Sequence, residues 1–211
     1  MVVQQFIKRL NNTELGKAST HEYYVLVPKA IQYFFNDSNS SFFDCISGAK
    51  LDGVHISNIR EFRVNGLGNY YRSNNVNAGD EIIFQKNDDG VDVSFSVNLK
   101  TNEDLVTLQR IGQRGFEILN FGNLKSSQIG DSYEVKAAYK GTLSKVEIKL
   151  ESVEKKRSDS PEKTSFYNIL VNGKDVKDDF NGSGFFVNLK GSGDKRILCK
   201  SDVWQKYEFN Y

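Results

Sequence analysis

An acidic residue followed at a distance by an acid-x-Lys triplet is the pattern with which Mg²⁺-dependent nucleases bind metal and position the attacking water. Asp131 and the triplet Glu147-Ile148-Lys149 have that spacing. Any half-exposed strand can produce the same triplet, because Val146, Ile148 and Leu150 alternate with Glu147, Lys149 and Glu151. Asp131, Glu147 and Lys149 are therefore the catalytic set of an alternative reading only, a small complete endonuclease needing Mg²⁺. The leading reading assigns no catalytic residue to this chain. The sequence has no Gly-x-Ser-x-Gly elbow, phosphate loop or Cys/His nucleophile arrangement. His21, Cys45, His55 and Cys199 are scattered, whereas structural zinc needs four closely spaced ligands, so no metal site is expected. The two cysteines read as reduced thiols.

The elements that must position functional groups are mostly strands. In 211 residues with 12% aromatics and 26% charged side chains, the dominant hydrophobic period is two. Phe6 to Leu10 and Tyr23 to Val27 are the first strands, and Pro28 opens a short helix through Phe35. Further strands are predicted over 54–59, 60–64, 81–84 and 91–97, with turns at Gly66 to Asn69 and Asn87 to Gly90. A second helix is expected from Asn102, as its cap, to about Gly112, and 116–119 closes the first unit.

Alternation resumes at 133–139, 145–150, 166–171, 185–189 and 196–200. The charged stretch Glu154 to Lys163 reads as an exposed hairpin loop, and Asn172-Gly173 as a hairpin turn. No apolar run is long enough to span a bilayer, and Met1-Val2-Val3-Gln4-Gln5 lacks a basic flank and apolar core. A cytoplasmic location without membrane partners is expected.

Three segments occur in a telling order. Ile7-Lys8-Arg9-Leu10 is followed by Gly16, Ser19-Thr20-His21-Glu22 and a strand ending at Pro28. Asn65-Gly66-Leu67-Gly68-Asn69-Tyr70-Tyr71-Arg72-Ser73-Asn74-Asn75 comes next, and then Gly79-Asp80-Glu81-Ile82-Ile83-Phe84. Together they resemble the B3-like effector domain of type IIE restriction endonucleases that recognise CCWGG, and the resemblance covers residues 1–118. It implies a mainly β fold: a B3-like, seven-stranded open pseudobarrel with two short helices. Residues 119–211 are then a β-rich C-terminal extension or second small domain of unassigned role.

The resemblance further implies a two-arm grip on the major groove of double-stranded DNA, at a short specific site that could be CCWGG-like. The chain would be the effector or targeting domain of a type II restriction endonuclease, whose catalytic nuclease domain lies in the same or another chain. DNA binding itself would need no cofactor, and Mg²⁺ would enter only with a nuclease domain. On the first arm, Lys17, Ser19 and Thr20 suit phosphate oxygens, while His21 and Glu22 meet base edges, the carboxylate accepting from cytosine N4. On the second, Arg72 suits guanine O6 and N7, Asn74 or Asn75 suits adenine, and Tyr70 and Ser73 lie along the backbone.

Each residue also has a structural reading. His21 could hold the arm by bonding backbone, Glu22 could be a solvated carboxylate, and Asn74-Asn75 could be only a turn. Tyr70 and Tyr71 alternate across a strand, one of them in the core. Arg60 and Arg63 read as surface charges as readily as phosphate contacts. The net charge of +1 predicts weak non-specific affinity for DNA. A third reading is an all-β module binding protein or carbohydrate through exposed aromatics.

Overall fold

A computed structural model describes residues 2–17, 21–35, 39–88, 92–122, 130–155, 163–182 and 184–210, and it is mainly β. The chain divides into two compact units, Met1–Thr101 with Trp204–Tyr211, and Asn102–Val203. Among the described residues no helix is long and apolar enough to cross a membrane.

The first unit contains two sheets. Strands β1 (Val2–Arg9), β3 (Ser41–Asp44), β6 (Glu81–Asp88), β7 (Val93–Lys100) and β16 (Trp204–Asn210) form one, in the order β16-β1-β6-β7-β3. Only β3 and β7 run parallel. Strands β2 (Tyr24–Leu26), β4 (His55–Ser57) and β5 (Arg63–Asn65) form the other, antiparallel, in the order β2-β5-β4.

Alternation puts Phe6, Phe84, Phe95 and Phe42 on one face of the larger sheet, all fully buried. Pro28, lacking an N–H, is suited to a helix start, and a 3-10 helix, Lys29–Phe35, follows it. That helix lays Ile31, Phe34 and Phe35 on the aromatic face. The Phe35 ring lies 4.9 Å from Phe34 and Phe95, 5.3 Å from Phe84 and 5.6 Å from Phe6.

Beyond β1 the chain turns around Asn11, whose side-chain oxygen accepts from the N–H groups of Thr13 and Glu14. This turn buries Glu14 beside Lys8. The carboxylate accepts from Lys8 Nζ at 3.0 Å, from Asn11 N at 3.1 Å and from Leu26 N at 3.0 Å. One acid thus joins the end of β1, the loop after it and the edge of β2. Close by, Leu10 N donates to Asp80 O and Gly79 N donates to Leu10 O. The loop leaving β1 and the loop entering β6 are therefore tied together at one end of the sheet.

The second unit is a closed ring of seven strands. These are β8 (Val106–Arg110), β9 (Phe116–Asn120), β10 (Ser132–Tyr139), β11 (Thr142–Lys155), β12 (Lys163–Val171), β14 (Phe185–Lys190) and β15 (Ile197–Asp202). Their order is β11-β10-β15-β14-β8-β9-β12, and the β11–β12 pairing closes the ring. A two-residue strand, β13 (Lys174–Asp175), adds to β12. Val106, Leu108, Phe116, Val146, Ile148, Ile169, Val187 and Leu189 are among the side chains packed in its core.

Three expectations change. The helix predicted over 102–112 is a loop followed by β8, because Asn102 does not cap a helix. Its oxygen accepts from Asp104 N, its amide donates to Thr107 Oγ1, and Val106, Thr107 and Leu108 are buried. The boundary moves from 118 to 101, because β8 and β9 belong to the closed barrel. Residues 1–118 do not form one seven-stranded open pseudobarrel: the first unit has two separate sheets and recruits β16 from the far end of the chain, and the seven-stranded ring is the closed second unit.

Candidate functional site

The candidate site lies on the first unit, where two grooves meet at Tyr23. The smaller, about 380 Å³, is lined by Gly16, Lys17, Tyr23, Arg72, Asn75 and Asn77 together with Leu15, Tyr71 and Val76. The larger, about 940 Å³, is lined by Glu22, Tyr23, His55, Ser57, Ile59, Arg60, Glu61, Arg63, Asn65 and Gly66. Segments far apart in sequence therefore share one surface.

Glycines make this convergence possible. Gly16 has φ +68°, and a Cβ there would lie 3.2 Å from the Tyr23 ring and 3.3 Å from the Glu22 carbonyl oxygen. A bridge between Leu15 and Tyr23 closes the first loop just beyond it. Gly66, at φ +83°, turns the chain out of β5 so tightly that a Cβ would come 2.1 Å from the Gly53 carbonyl oxygen. A short helix, α1 (Gly68–Ser73), follows.

Helix α1 replaces the strand expected at Tyr70-Tyr71, and the alternation argument fails with it, because both rings are buried. The Tyr70 hydroxyl donates to the Val97 carbonyl at 3.1 Å and to Asp44 at 3.3 Å. Burial, and then the Asp44 carboxylate, push its pKa well up. Tyr70 is thus a structural residue and not the backbone contact expected of it.

Burial also raises the pKa of Tyr71, whose hydroxyl lies 3.5 Å from the Tyr24 carbonyl. Phenols held neutral in the fold but free to ionise near pH 10 when unfolded contribute stability that is complete below pH 10 and is lost as pH rises toward the folded value. Stability measured in urea is expected to fall above about pH 10. In the Tyr71→Phe protein that alkaline loss is expected to be shallower, with little change at pH 7, since a 3.5 Å contact is weak. An identical alkaline slope in both proteins would refute this.

The second-arm residues have distinct positions. Arg72 is exposed, its guanidinium 5.1 Å over the Tyr23 ring and bonded to Asn69 Oδ1 at 2.7 Å. Gly68 gives both room, since a Cβ there would lie 3.0 Å from the Tyr23 ring and 3.2 Å from Arg72 Nη1. Asn75, at φ 52°, lines the smaller groove. Asn74 does not line it, and its amide nitrogen is committed to the Tyr70 carbonyl at 2.9 Å, which caps the helix. Ser73 is exposed but outside both linings.

On the first arm, Lys17 lines the smaller groove beside Arg72. Exposed His21, at φ 50°, lines neither groove. Ser19 and Thr20 lie outside the described residues. Glu22 is exposed and accepts from Arg63 Nη1 at 2.8 Å.

Sequence reasoning left Arg63 between surface charge and phosphate contact and saw none of its partners; it lines the larger groove. Its guanidinium lies 4.0 Å over the Tyr24 ring, and Nε and Nη2 donate to Glu61 Oε2 at 3.0 and 2.6 Å. The available signal was the two-residue spacing of Glu61 and Arg63, which places both on one side of an extended chain. Burial raises the pKa of the Tyr24 phenol against the opposing pull of Arg63, so the ring under the guanidinium is neutral.

The two grooves differ in charge. Among the described residues, the smaller is lined by Lys17 and Arg72 and no carboxylate, whereas the larger balances Arg60 and Arg63 against Glu22 and Glu61. The smaller therefore suits anions, and the larger suits neutral groups with mixed donors and acceptors.

The residues of the nuclease alternative lie on the second unit. Glu147 and Lys149 alternate with buried Val146 and Ile148, and Glu147 accepts from the Ser132 hydroxyl at 2.8 Å. Asp131 is exposed, and its carbonyl accepts from Leu150 N. Among the described residues no three His, Cys, Asp or Glu side chains converge to hold a metal. Cys45 is exposed and Cys199 half-buried. No family model, curated protein or solved structure matches the chain.

Proposed function

We propose that the first unit recognises a specific double-stranded DNA site, with the loop at Lys17 and helix α1 at Arg72 gripping the major groove. In this reading its two sheets act as a B3-like pseudobarrel, the effector or targeting domain of a restriction endonuclease working in the cytoplasm. Cleavage would belong to a nuclease domain elsewhere in the same or another chain, with Mg²⁺ needed only there. One observation carries the reading: Lys17, from the loop after β1, and Arg72, from α1, line a single groove whose described lining residues include no carboxylate.

Lys17, a flexible point charge, suits a phosphate oxygen. Arg72, oriented by Asn69 and the Tyr23 ring, presents a planar fork suited to guanine O6 and N7, with Asn75 beside it for an adenine. Near-neutral overall charge keeps non-specific attraction low, so discrimination rests on these few contacts.

The test is a mobility-shift titration of a CCWGG duplex against a scrambled duplex at moderate salt. Tighter binding of the specific duplex supports the reading, and equal affinity refutes it. Arg72→Ala is expected to cost about 1–3 kcal/mol and relax preference at one base pair. Lys17→Ala is expected to weaken all sequences alike and to reduce the salt slope by about one. If the two substitutions behave identically, the division into reader and anchor is wrong.

A further inference from the structure

We infer that Glu22 and Arg63 together read one C·G base pair, with Glu61 as the residue that positions Arg63. The inference rests on the DNA-binding reading above and extends it to the larger groove, where Arg63 gains a role in specificity.

The geometry is that of a preset donor and acceptor. Of the guanidinium's five N–H donors, one on Nε, one on Nη1 and one on Nη2 are taken by Glu61 and Glu22. Two remain, one on each terminal nitrogen, the number a bidentate contact to guanine O6 and N7 requires. Glu61 and the Tyr24 ring fix the plane of the fork, so little freedom is lost when it meets a base. Glu22 Oε2, on a side chain 59% exposed, accepts from Arg63 Nη1 and has a second lone pair for a further donor.

This arrangement is complementary to the major-groove edge of a C·G pair. There the cytosine N4 donor lies next to the guanine O6 acceptor, joined to it by a base-pair hydrogen bond of about 2.9 Å. On the protein, the Glu22 acceptor and the Arg63 donor lie 2.8 Å apart. A carboxylate set against N4 therefore brings the guanidinium against O6. Reversal of the base pair would set acceptor against acceptor and donor against donor.

Charge decides between base edge and phosphate as the occupant. Two carboxylates beside the guanidinium repel phosphate, and the balanced groove has no net attraction for it. The Glu22 contact to Arg63 is half-open to solvent, so sharing it with a base is cheap.

The test uses the full chain and the duplex it selects from a random pool. 7-Deazaguanine, which lacks the N7 acceptor, and N4-methylcytosine, which blocks the amino group, are placed at each C·G pair in turn. At one pair, 7-deazaguanine is expected to weaken wild-type binding about tenfold and to leave the Arg63→Ala protein unaffected. At the same pair, N4-methylcytosine is expected to weaken the wild type and not the Glu22→Ala protein. Arg63→Lys, which keeps the charge and most of the stem, is expected to lose the 7-deazaguanine response as Arg63→Ala does. Glu61→Gln is expected to blunt preference at that pair without lowering affinity for scrambled duplex.

Variants that stay as sensitive as wild type to both analogues at every C·G pair would overturn the inference while sequence-specific binding stands. A wild-type chain that selects no site at all would overturn the DNA-binding reading, and this inference with it.

Discussion

Replacing Glu14 with alanine is expected to lower the unfolding free energy by about 3–5 kcal/mol, the usual result of leaving one partner of a buried ion pair alone. Glu14 and Lys8 are only 1% and 4% exposed, so the surviving ammonium could not recover its lost interaction from water. The carboxylate also accepts from Asn11 N and Leu26 N, and these donors would be orphaned as well. Urea denaturation should show a lower midpoint with an unchanged slope.

The double variant Lys8→Met/Glu14→Leu distinguishes a lost attraction from a stranded charge. It should be more stable than Glu14→Ala, since apolar replacement removes the cost of burying the ammonium. It should remain below wild type, because the two backbone donors stay unsatisfied. A single-substitution loss under about 0.5 kcal/mol would show that the pair is not a structural anchor. Because Glu14 ties the root of the first loop to β2, its loss should also weaken binding at the smaller groove.

Phe35→Ala is expected to be comparably severe, about 3–5 kcal/mol. Four aromatic rings surround Phe35 within 4.9–5.6 Å, three of them edge to face. Truncation removes the buried area and leaves a void that strands paired on both sides cannot collapse to fill. Ile59→Ala is the natural control: that side chain is 89% exposed, and its loss should move stability by less than about 0.5 kcal/mol. If the two variants unfolded at the same denaturant concentration, the aromatic face would not be the organising core of the first unit.

Local signals were legible in the sequence. Alternating Phe6 to Arg9 became part of β1, which stops one residue short of Leu10, the proline before Lys29 did mark a helix start, and the Gly79-Asp80 turn leads into β6. Competing short-range preferences were harder to read. Asn102 can cap a helix or close an Asx turn, and the β-branched, apolar residues after it decided for strand. Tyr70 and Tyr71 favour strands by type, yet the tight turn at Gly66 and their burial against the sheet hold them in a six-residue helix.

Long-range pairing was invisible altogether. Nothing near Trp204 indicates that it belongs beside Lys8, or that Tyr167 belongs beside Phe116 where β12 meets β9 in the ring. The candidate site divides in the same way. Arg72 was readable from its loop, whereas Arg63 gains its meaning only from Glu22, which lies on a different segment, and from the Tyr24 ring beneath it.

The antiparallel pairing of β1 with β16 sets Val2 opposite Asn210 and runs to Lys8 opposite Trp204. A tensile load applied at residues 2 and 210 would pull these strands apart across their hydrogen bonds, which break one at a time from the open end. The first unit is therefore built to unzip at low force when drawn from those positions. The same unit gripped at residues 2 and 204, opposite ends of the paired strands, would be loaded in shear and would resist far more.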